Sequence, residues 1–152
     1  MIDILVTLLL FVITGGAGWF ATEYVGRQIA RFYELRADAI EAIYYVANVG
    51  EIALEGDRER YNRASDELRR CAARFDALRK NITSPTRRYL NFRGYDLNKV
   101  VEGLTGLSNG LAKYDYPRLA AQNRVEIGLC LVPSHTKEEL EEERDLHRQG
   151  LK

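Results

Sequence analysis

Residues that could act as nucleophiles or metal ligands are few and widely spaced in this chain. It has two cysteines, Cys71 and Cys130, and two histidines, His135 and His147. Nucleophilic catalysis needs a cysteine or serine beside a histidine base, but both histidines lie in the polar stretch after Pro133. The four residues also lack the close pairing of zinc ligands. We therefore predict no catalytic residue, no metal site and no cofactor, and we interpret Cys71, which lies in an apolar stripe, as a core cysteine.

Two other patterns that often carry chemistry are incomplete. The stretch Gly103-Leu104-Thr105-Gly106 lacks the lysine and the preceding strand of a phosphate-binding loop. The carboxylates of Asp66 and Glu67 are adjacent on a predicted helix and so point in different directions, as on a solvated face. The sequence therefore favours a protein that is not an enzyme.

A basic cluster stands out in a chain whose formal net charge is zero. It runs from position 69 to position 93, where Asp76 is the only carboxylate. A solvated helix face explains such a run, and so does contact with anionic lipid or with an acidic protein partner. Nucleic acid is disfavoured because no recognised binding motif accompanies the charge. The basic residues are Arg69, Arg70, Arg74, Arg79, Lys80, Arg87, Arg88 and Arg93, and the candidate lipid- or partner-binding residues are Arg79, Lys80, Arg87, Arg88, Tyr89, Phe92 and Arg93.

The N-terminal part of the chain contains an uncharged run from Ile4 to Thr22. At about 1.5 Å per helical residue it spans roughly 28 Å, close to the thickness of a hydrocarbon core. We predict a transmembrane helix with Trp19 and Tyr24 at the interface. A cleaved signal peptide ending near Gly18 is the alternative, although such peptides begin with basic residues. A buried core helix is disfavoured because the run is apolar on every side.

Charges after this run predict its orientation. Arg27, Arg31 and Arg36 follow it, whereas no basic residue precedes it, so the positive-inside rule places the C-terminal part in the cytoplasm and the N-terminus outside. Two cysteines without a dense framework fit a reducing compartment, although outside the cell they would form a disulfide. The predicted location is the inner membrane, with a single pass.

The remaining sequence predicts an all-α fold, in which the single N-terminal transmembrane helix continues into a small antiparallel helical bundle. The three prolines, Pro85, Pro117 and Pro133, lie where helices would begin or end. We divide the chain into a membrane anchor (1–23), a cytoplasmic bundle (24–133) and a charged tail (134–152). Within the bundle we predict a first helix to Val49 with a bend at Gly26, a second from an Asp57 cap to Lys80, and a short one from Thr83-Ser84-Pro85 to about Phe92. A fourth follows an Asp96 cap, and a last one begins at Asp115-Tyr116-Pro117 by the same cap-and-proline chemistry and ends at Pro133.

The second of these helices carries a heptad seam that predicts coiled-coil-like packing. Because the connection before it is short, we expect its partner to be the preceding helix, packed antiparallel. Gly103, Gly106 and Gly110 predict close contact between two other helices. The seam residues are Tyr61, Ala64, Leu68, Cys71, Phe75 and Leu78.

Two segments near the C-terminus allow more than one structure. The stretch from Ile127 to Val132 is apolar enough for a strand, but a lone strand would leave backbone groups unpaired, which favours helix. Thr136 and Glu139 fit a capping box, while a frayed tail fits the same polar sequence.

Matched lengths of the first two bundle helices place the turn after Lys80 near the bilayer. We therefore predict that residues from Ile82 to Tyr95 form a juxtamembrane platform that meets membrane lipid or a neighbouring subunit. Within the membrane helix, small residues recur every four positions and predict close helix contact or self-association. These residues are Thr14, Gly18, Thr22 and Gly26.

Together these features favour a non-catalytic, single-pass membrane scaffold or accessory subunit of a larger membrane assembly. The alternative is a membrane-tethered regulatory adaptor that binds a soluble protein partner or acidic lipid through its cytoplasmic bundle. The two differ in the surface they use, because an accessory subunit would use its membrane helix and an adaptor its cytoplasmic faces.

Overall fold

The computed structural model of this protein describes residues 2–49, 58–111 and 115–150. Within these ranges all the regular secondary structure is helical, which confirms the prediction of an all-α fold. The helices are α1 (Ile2–Phe20), a π-helical turn (Ala21–Gly26), α2 (Arg27–Val49), α3 (Arg58–Asn81), α4 (Ser84–Phe92), α5 (Leu97–Gly110), α6 (Tyr116–Gly128) and α7 (Lys137–Arg148).

The N-terminal helix leads into the bundle through the π-helical turn. Where the sequence predicts a bend at Gly26, the structure has a π-helical stretch that ends at this residue. Across the ranges described, no helix is both long and apolar enough to cross a membrane. The fold thus confirms the helical bundle and leaves the transmembrane assignment unconfirmed.

The bundle core is built mainly by α2, α3, α5 and α6. Antiparallel packing of α2 and α3 is seen in their contacts: Phe32 meets Phe75 at a ring separation of 6.4 Å, and Thr83, just after α3, reaches back to Gln28 at the start of α2. The expected partner of α3 is thus correct but incomplete, because α3 also packs extensively against α5. Fully buried side chains join these helices, among them Phe32, Leu68, Phe75, Leu104 and Val125.

Glycines on α5 allow it to lie directly against α6. A Cβ atom on Gly103 would lie 2.5 Å from Val125 Cγ2 and 2.7 Å from the carbonyl oxygen of Ala121. One on Gly106 would lie 2.9 Å from the Ala121 Cβ atom. The predicted close contact is confirmed at these two positions, whereas a Cβ atom on Gly110 would have its nearest neighbours at an ordinary 3.7 Å.

Helix α6 ends earlier than the sequence predicts. It stops at Gly128 rather than continuing to Pro133, and Cys130 takes the left-handed conformation with φ of 53°. The amide of Leu131 donates to the carbonyl of Glu126 at 2.8 Å and that of Cys130 donates to Ile127 at 3.1 Å, the pattern of a Schellman motif. The helical prediction was wrong here because a cysteine occupies the position at which glycine usually marks this motif.

Helix caps agree with the sequence at two of the four described positions, and Asp115 at the N-cap of α6 is one exception because its side chain caps no helix amide. Asp96 accepts hydrogen bonds from the amides of Asn98 (3.0 Å) and Lys99 (3.2 Å) at the start of α5. Thr136 and Glu139 form the complete capping box of α7, so this part of the tail is an ordered helix. Thr83 is at the N-cap position of α4, but its side chain caps none of the helix amides. The predicted cap at Asp57 lies outside the described residues.

Candidate functional site

A contact between α2 and the turn after α3 fixes the position of the basic cluster. The turn between α3 and α4 lies against the first turn of α2, where Gln28 Oε1 accepts a 2.8 Å hydrogen bond from the Thr83 amide and a 3.1 Å bond from its hydroxyl. Ile82 beside it is buried. The Thr83 hydroxyl also lies 3.0 Å from the Thr86 hydroxyl. The contact with Gln28 fixes the start of α4 close to the π-helical turn that follows α1.

Two of the candidate cations are already paired within the protein. Asp76 receives hydrogen bonds and ionic contacts from Arg79, and Lys80 Nζ lies 2.6 Å from its second oxygen. The hydrogen bond from Lys80, together with that from Arg79, lowers the pKa of the Asp76 carboxyl below its usual value. Arg79 also donates a 2.8 Å hydrogen bond to Asn98 Oδ1. These two residues therefore present less free positive charge than the sequence implies.

Arg87 lies beside a small cleft between α4 and the start of α5. Its guanidinium donates to the Arg79 carbonyl at 3.3 Å. The cleft has a volume of about 250 Å³ and includes Asp96, whose carboxylate caps α5. Because a carboxylate would repel a bound anion, this cleft is a poor phosphate site despite its two arginines.

The outer face of α4 combines free charge with exposed apolar surface. Thr86 and Leu90 are buried, and at about 3.6 residues per turn Arg88 and Phe92, each two positions later, point to the opposite side. The Phe92 side chain is 90% exposed. Among the residues that the structure describes, Arg88 has no carboxylate within ion-pair distance, and the same holds for Arg93 at the end of α4.

The tyrosine in this set faces the bundle more than the others do. Tyr89 forms a side-chain hydrogen bond with Tyr33 of α2, which raises the pKa of the Tyr89 phenol. Tyr33 also packs edge-on against Tyr95, at a ring separation of 6.2 Å. Tyr89 thus helps to hold α4 in place, while Arg88, Phe92 and Arg93 remain available for an external contact.

The predicted stripe of small residues is exposed, with Thr14 and Gly18 on α1 and Thr22 and Gly26 in the π-helical turn. The hydroxyls of Thr14 and Thr22 bond back to the carbonyls of Leu10 (2.8 Å) and Gly18 (2.9 Å). No atom of the described chain lies within 4 Å of a Cβ placed on Gly18. Gly26 ends the π-helical turn, and because a π-helix closes its hydrogen bonds over five residues, Gly26 does not follow Thr22 by one regular α-helical turn.

Among residues 2–49, 58–111 and 115–150, the thiols and imidazoles are not surrounded by a cluster of metal-ligating side chains. Cys71 is buried on α3, and its pKa is raised, chiefly by burial and then by the nearby charge of Asp38. In the portion of the chain that the structure covers, no three His, Cys, Asp or Glu side chains meet as a metal site would require. His135 instead lines a surface hollow with residues of α7, including Glu139 and Glu142.

Two buried charged residues were missed by sequence reasoning. Arg118 is only 2% exposed and donates to the carbonyls of Val46 (3.3 Å) and Leu111 (3.5 Å), near the C-terminal ends of α2 and α5. Positive charge is favourable at helix C-termini, so Arg118 stabilises the packing of the bundle. An arginine just after Pro117, in the first turn of a helix, carries no sequence signal for this role.

The second is Glu126 of α6, which lies at the edge of a surface pocket. Its carboxylate accepts hydrogen bonds from the Ser134 amide (2.6 Å) and hydroxyl and from Gln122 (2.9 Å), which hold the segment after α6 in place. The pocket has a volume of about 390 Å³ and is otherwise largely apolar, with Ile40, Ile43 and Val132 among its lining residues. Val132 is 91% exposed at its rim.

Comparison with known proteins adds no relative to this description, since no protein-family model, curated protein or solved structure matches the chain.

Proposed function

We propose that this protein is a non-catalytic, membrane-anchored scaffold or accessory subunit whose helical bundle lies on the cytoplasmic side of the inner membrane. The observation that carries the proposal is the surface of α1. Its exposed apolar side chains occupy consecutive positions, so they cover every side of the helix and cannot all face a single protein neighbour. They include Leu10, Phe11, Val12 and Ile13.

Leaving such a helix in water is costly. Removing apolar surface from water is favourable by about 25 cal/mol of free energy per Å². Each central Leu, Ile, Phe or Val favours bilayer insertion by about 0.3 to 0.6 kcal/mol. The hydroxyls of Thr14 and Thr22 are already satisfied by carbonyls of their own helix, which lowers the cost of placing them in lipid. The proposal of a membrane anchor therefore rests on this uncharged, exposed apolar stretch.

A test is to make α1 polar without disturbing the bundle. Replacing Phe11 and Val12 with aspartate costs about 2.5 to 3.5 kcal/mol per residue at a helix centre in the membrane. The wild-type chain should stay with the membrane pellet during alkaline carbonate extraction, and the double variant should move to the supernatant. Val132→Asp is the control, because it adds a carboxylate at an apolar position of the bundle that is also well exposed. Release of the wild type would contradict the anchor.

Orientation is proposed from the arginines that follow the apolar run. Arg27 forms an ion pair with Glu23 at 2.7 Å, and Arg31 pairs with Glu34 at 3.0 Å. Acidic residues contribute little to the positive-inside rule, so these pairs leave the expected direction unchanged. A reporter that is active only in the cytoplasm should work when fused after Lys152, and activity of a periplasmic reporter at that site would reverse the topology.

An accessory subunit would meet its neighbour, or a second copy of itself, through α1. Open space around Gly18 means that Gly18→Leu causes no clash within the chain. If the stripe is an interface, this change should weaken association in a membrane two-hybrid assay. Gly16→Leu is a matched control, since Gly16 is equally open and lies two residues away on another face. Equal signals from both variants would exclude the stripe.

The pocket beside α6 favours the second candidate, a tethered adaptor for a soluble protein. Its apolar lining and the exposed Val132 at its rim resemble the hydrophobic centre of a protein interface. The carbonate control variant Val132→Asp separates the candidates. An adaptor should lose its partner with this variant, whereas an accessory subunit should keep it.

A further inference from the structure

We propose that α4 docks the bundle onto an acidic lipid surface, with Arg88 and Arg93 contacting lipid phosphates and Phe92 entering the interface between headgroups and acyl chains. This inference rests on the proposed membrane anchor and identifies the partner of its basic cluster. It assigns the contact to the outer face of α4, rather than to all seven residues that the sequence singles out.

Position supports this assignment. Gln28, which binds the turn before α4, is six residues beyond Thr22, the last uncharged residue of the apolar run. Six α-helical residues rise about 9 Å, and the rise here is somewhat less because part of the stretch is the π-helical turn. The headgroup layer on each side of a bilayer is about 5 to 8 Å thick. If the apolar run is embedded up to Thr22, the start of α4 lies near the outer edge of the headgroups, within reach of an arginine side chain.

The members of the basic cluster differ in whether an acidic residue lies close to them. Arg79 and Lys80 are paired with Asp76, and Arg87 borders the cleft that contains Asp96. Arg88 and Arg93 have no such acidic partner among the described residues, so they can approach phosphate without breaking an internal ion pair. Each arginine near an anionic surface contributes about fivefold to the equilibrium between the docked and undocked bundle.

The exposed phenyl ring favours lipid over an acidic protein or plain solvent. Phe92 shares the outer face of α4 with Arg88, one helical turn away, and is 90% exposed. Binding at a membrane interface combines buried apolar side chains such as Phe with electrostatic attraction of cations to anionic lipid, whereas an isolated ring in water gains nothing. An acidic protein partner would also use the arginines, and the experiment below distinguishes it from lipid.

The experiment uses the full chain in nanodiscs made of phosphatidylcholine alone or mixed with phosphatidylglycerol. In a Cys130→Ser background, a nitroxide spin label is attached to the cysteine of Phe92→Cys. The apolar ring of the label then takes the place of the phenyl ring. Cys71 is buried and is not labelled. Collision rates with oxygen, which partitions into lipid, and with a water-soluble nickel chelate report the depth of the label. Labels at Asn62→Cys, at the far end of α3, and at Phe11→Cys, on α1, are the references.

In acidic nanodiscs the label at position 92 should be shielded from the nickel chelate, and the shielding should decrease as salt shortens the Debye length below about 10 Å. Arg88→Gln with Arg93→Gln should abolish it. Arg58→Gln with Arg63→Gln should not, because these residues lie in the first two turns of α3, about 27 to 35 Å along the helix from its other end.

Equal exposure of position 92 in neutral and acidic nanodiscs, with position 11 still in lipid, would overturn the docking proposal and leave an acidic protein or solvent as the partner of these arginines. Exposure of position 11 to the nickel chelate would instead contradict the membrane anchor. The two labels therefore separate failure of this inference from failure of the proposed function.

Discussion

Gln28 accepts hydrogen bonds from both the backbone amide and the hydroxyl of Thr83, at 2.8 and 3.1 Å. These residues are far apart in the chain, and their contact joins the first turn of α2 to the turn between α3 and α4. It therefore sets the position of the basic cluster relative to α1. The proposed position of the cluster at the membrane surface depends on this contact.

Removing this contact should destabilise the base of the bundle. Gln28→Ala leaves the part-buried Thr83 donors without their acceptor, and we expect a loss of about 1 to 3 kcal/mol in the free energy of unfolding. Chemical denaturation of the full chain in detergent measures it. Gln28→Glu keeps an acceptor oxygen in place and should recover most of the loss. If alanine and glutamate have the same effect, the hydrogen bonds do not hold the turn.

The glycines of α5 give a prediction with an internal control. Gly103→Ala places a methyl group 2.5 Å from Val125 Cγ2, and overpacking of this kind costs about 1 to 3 kcal/mol. Gly110→Ala meets nothing closer than 3.7 Å, and alanine is the better helix former by up to about 1 kcal/mol. Thermal unfolding should therefore occur at a lower temperature for the first variant and at an equal or higher one for the second. A similar decrease in both would contradict the close packing of α5 on α6.

Asp76 predicts a dependence of stability on pH. Hydrogen bonds from Lys80 and Arg79 lower the pKa of its carboxyl in the folded protein, so ionised Asp76 stabilises the fold above the unfolded pKa of about 3.9. This contribution is lost as the pH falls through the lower, folded pKa. Asp76→Asn should decrease the denaturation midpoint slightly at neutral pH, and the difference from wild type should vanish in strong acid.

The same substitution should act in the opposite direction on lipid binding. Asp76→Asn releases Arg79 and Lys80 from their shared carboxylate, so shielding of the label at position 92 by acidic nanodiscs should increase. Asp66→Asn is the control, since Asp66 lies 3.8 Å from Arg69 in a more exposed pair. Unchanged shielding in the Asp76 variant would mean that these two cations do not face the lipid.

Helix ends show which features the sequence can predict. Asp96 and the pair Thr136 and Glu139 cap helices through amides only two or three residues away, so their sequence signals are sufficient. The turn at Cys130 is also local, but a cysteine in the left-handed position does not signal it as a glycine would. The contact of Thr83 with Gln28 is tertiary instead, and nothing near Thr83 in the sequence indicates it.

For the candidate site too, the sequence predicts some features and only the structure shows the others. Composition identifies the whole basic cluster, but it does not tell which members are neutralised. Arg79 contacts Asn98 on another helix, and the direction of Phe92 follows from which side of α4 is buried. Burial of Arg118 and Glu126 is likewise a tertiary result, since charged residues are mostly exposed.

The two thiols should differ in reactivity. Cys130 is exposed, whereas Cys71 is buried with a pKa raised chiefly by that burial. Because the thiolate is the reactive form, Ellman's reagent should modify one thiol in the folded chain and the second only after denaturant is added. Cys130→Ser should remove the first reaction. Rapid modification of both thiols in the native protein would contradict the packing of α3.

Depth-dependent quenching of Trp19 shows whether α1 is embedded in lipid or exposed to water. Trp19 is the only tryptophan in the chain and is 64% exposed on α1, so its fluorescence reports this helix alone. In the full chain reconstituted into bilayers, we expect lipids brominated near the headgroup end of the acyl chain to quench it most strongly, and aqueous acrylamide to quench it weakly. Full quenching by acrylamide with no effect of any brominated lipid would contradict the anchor.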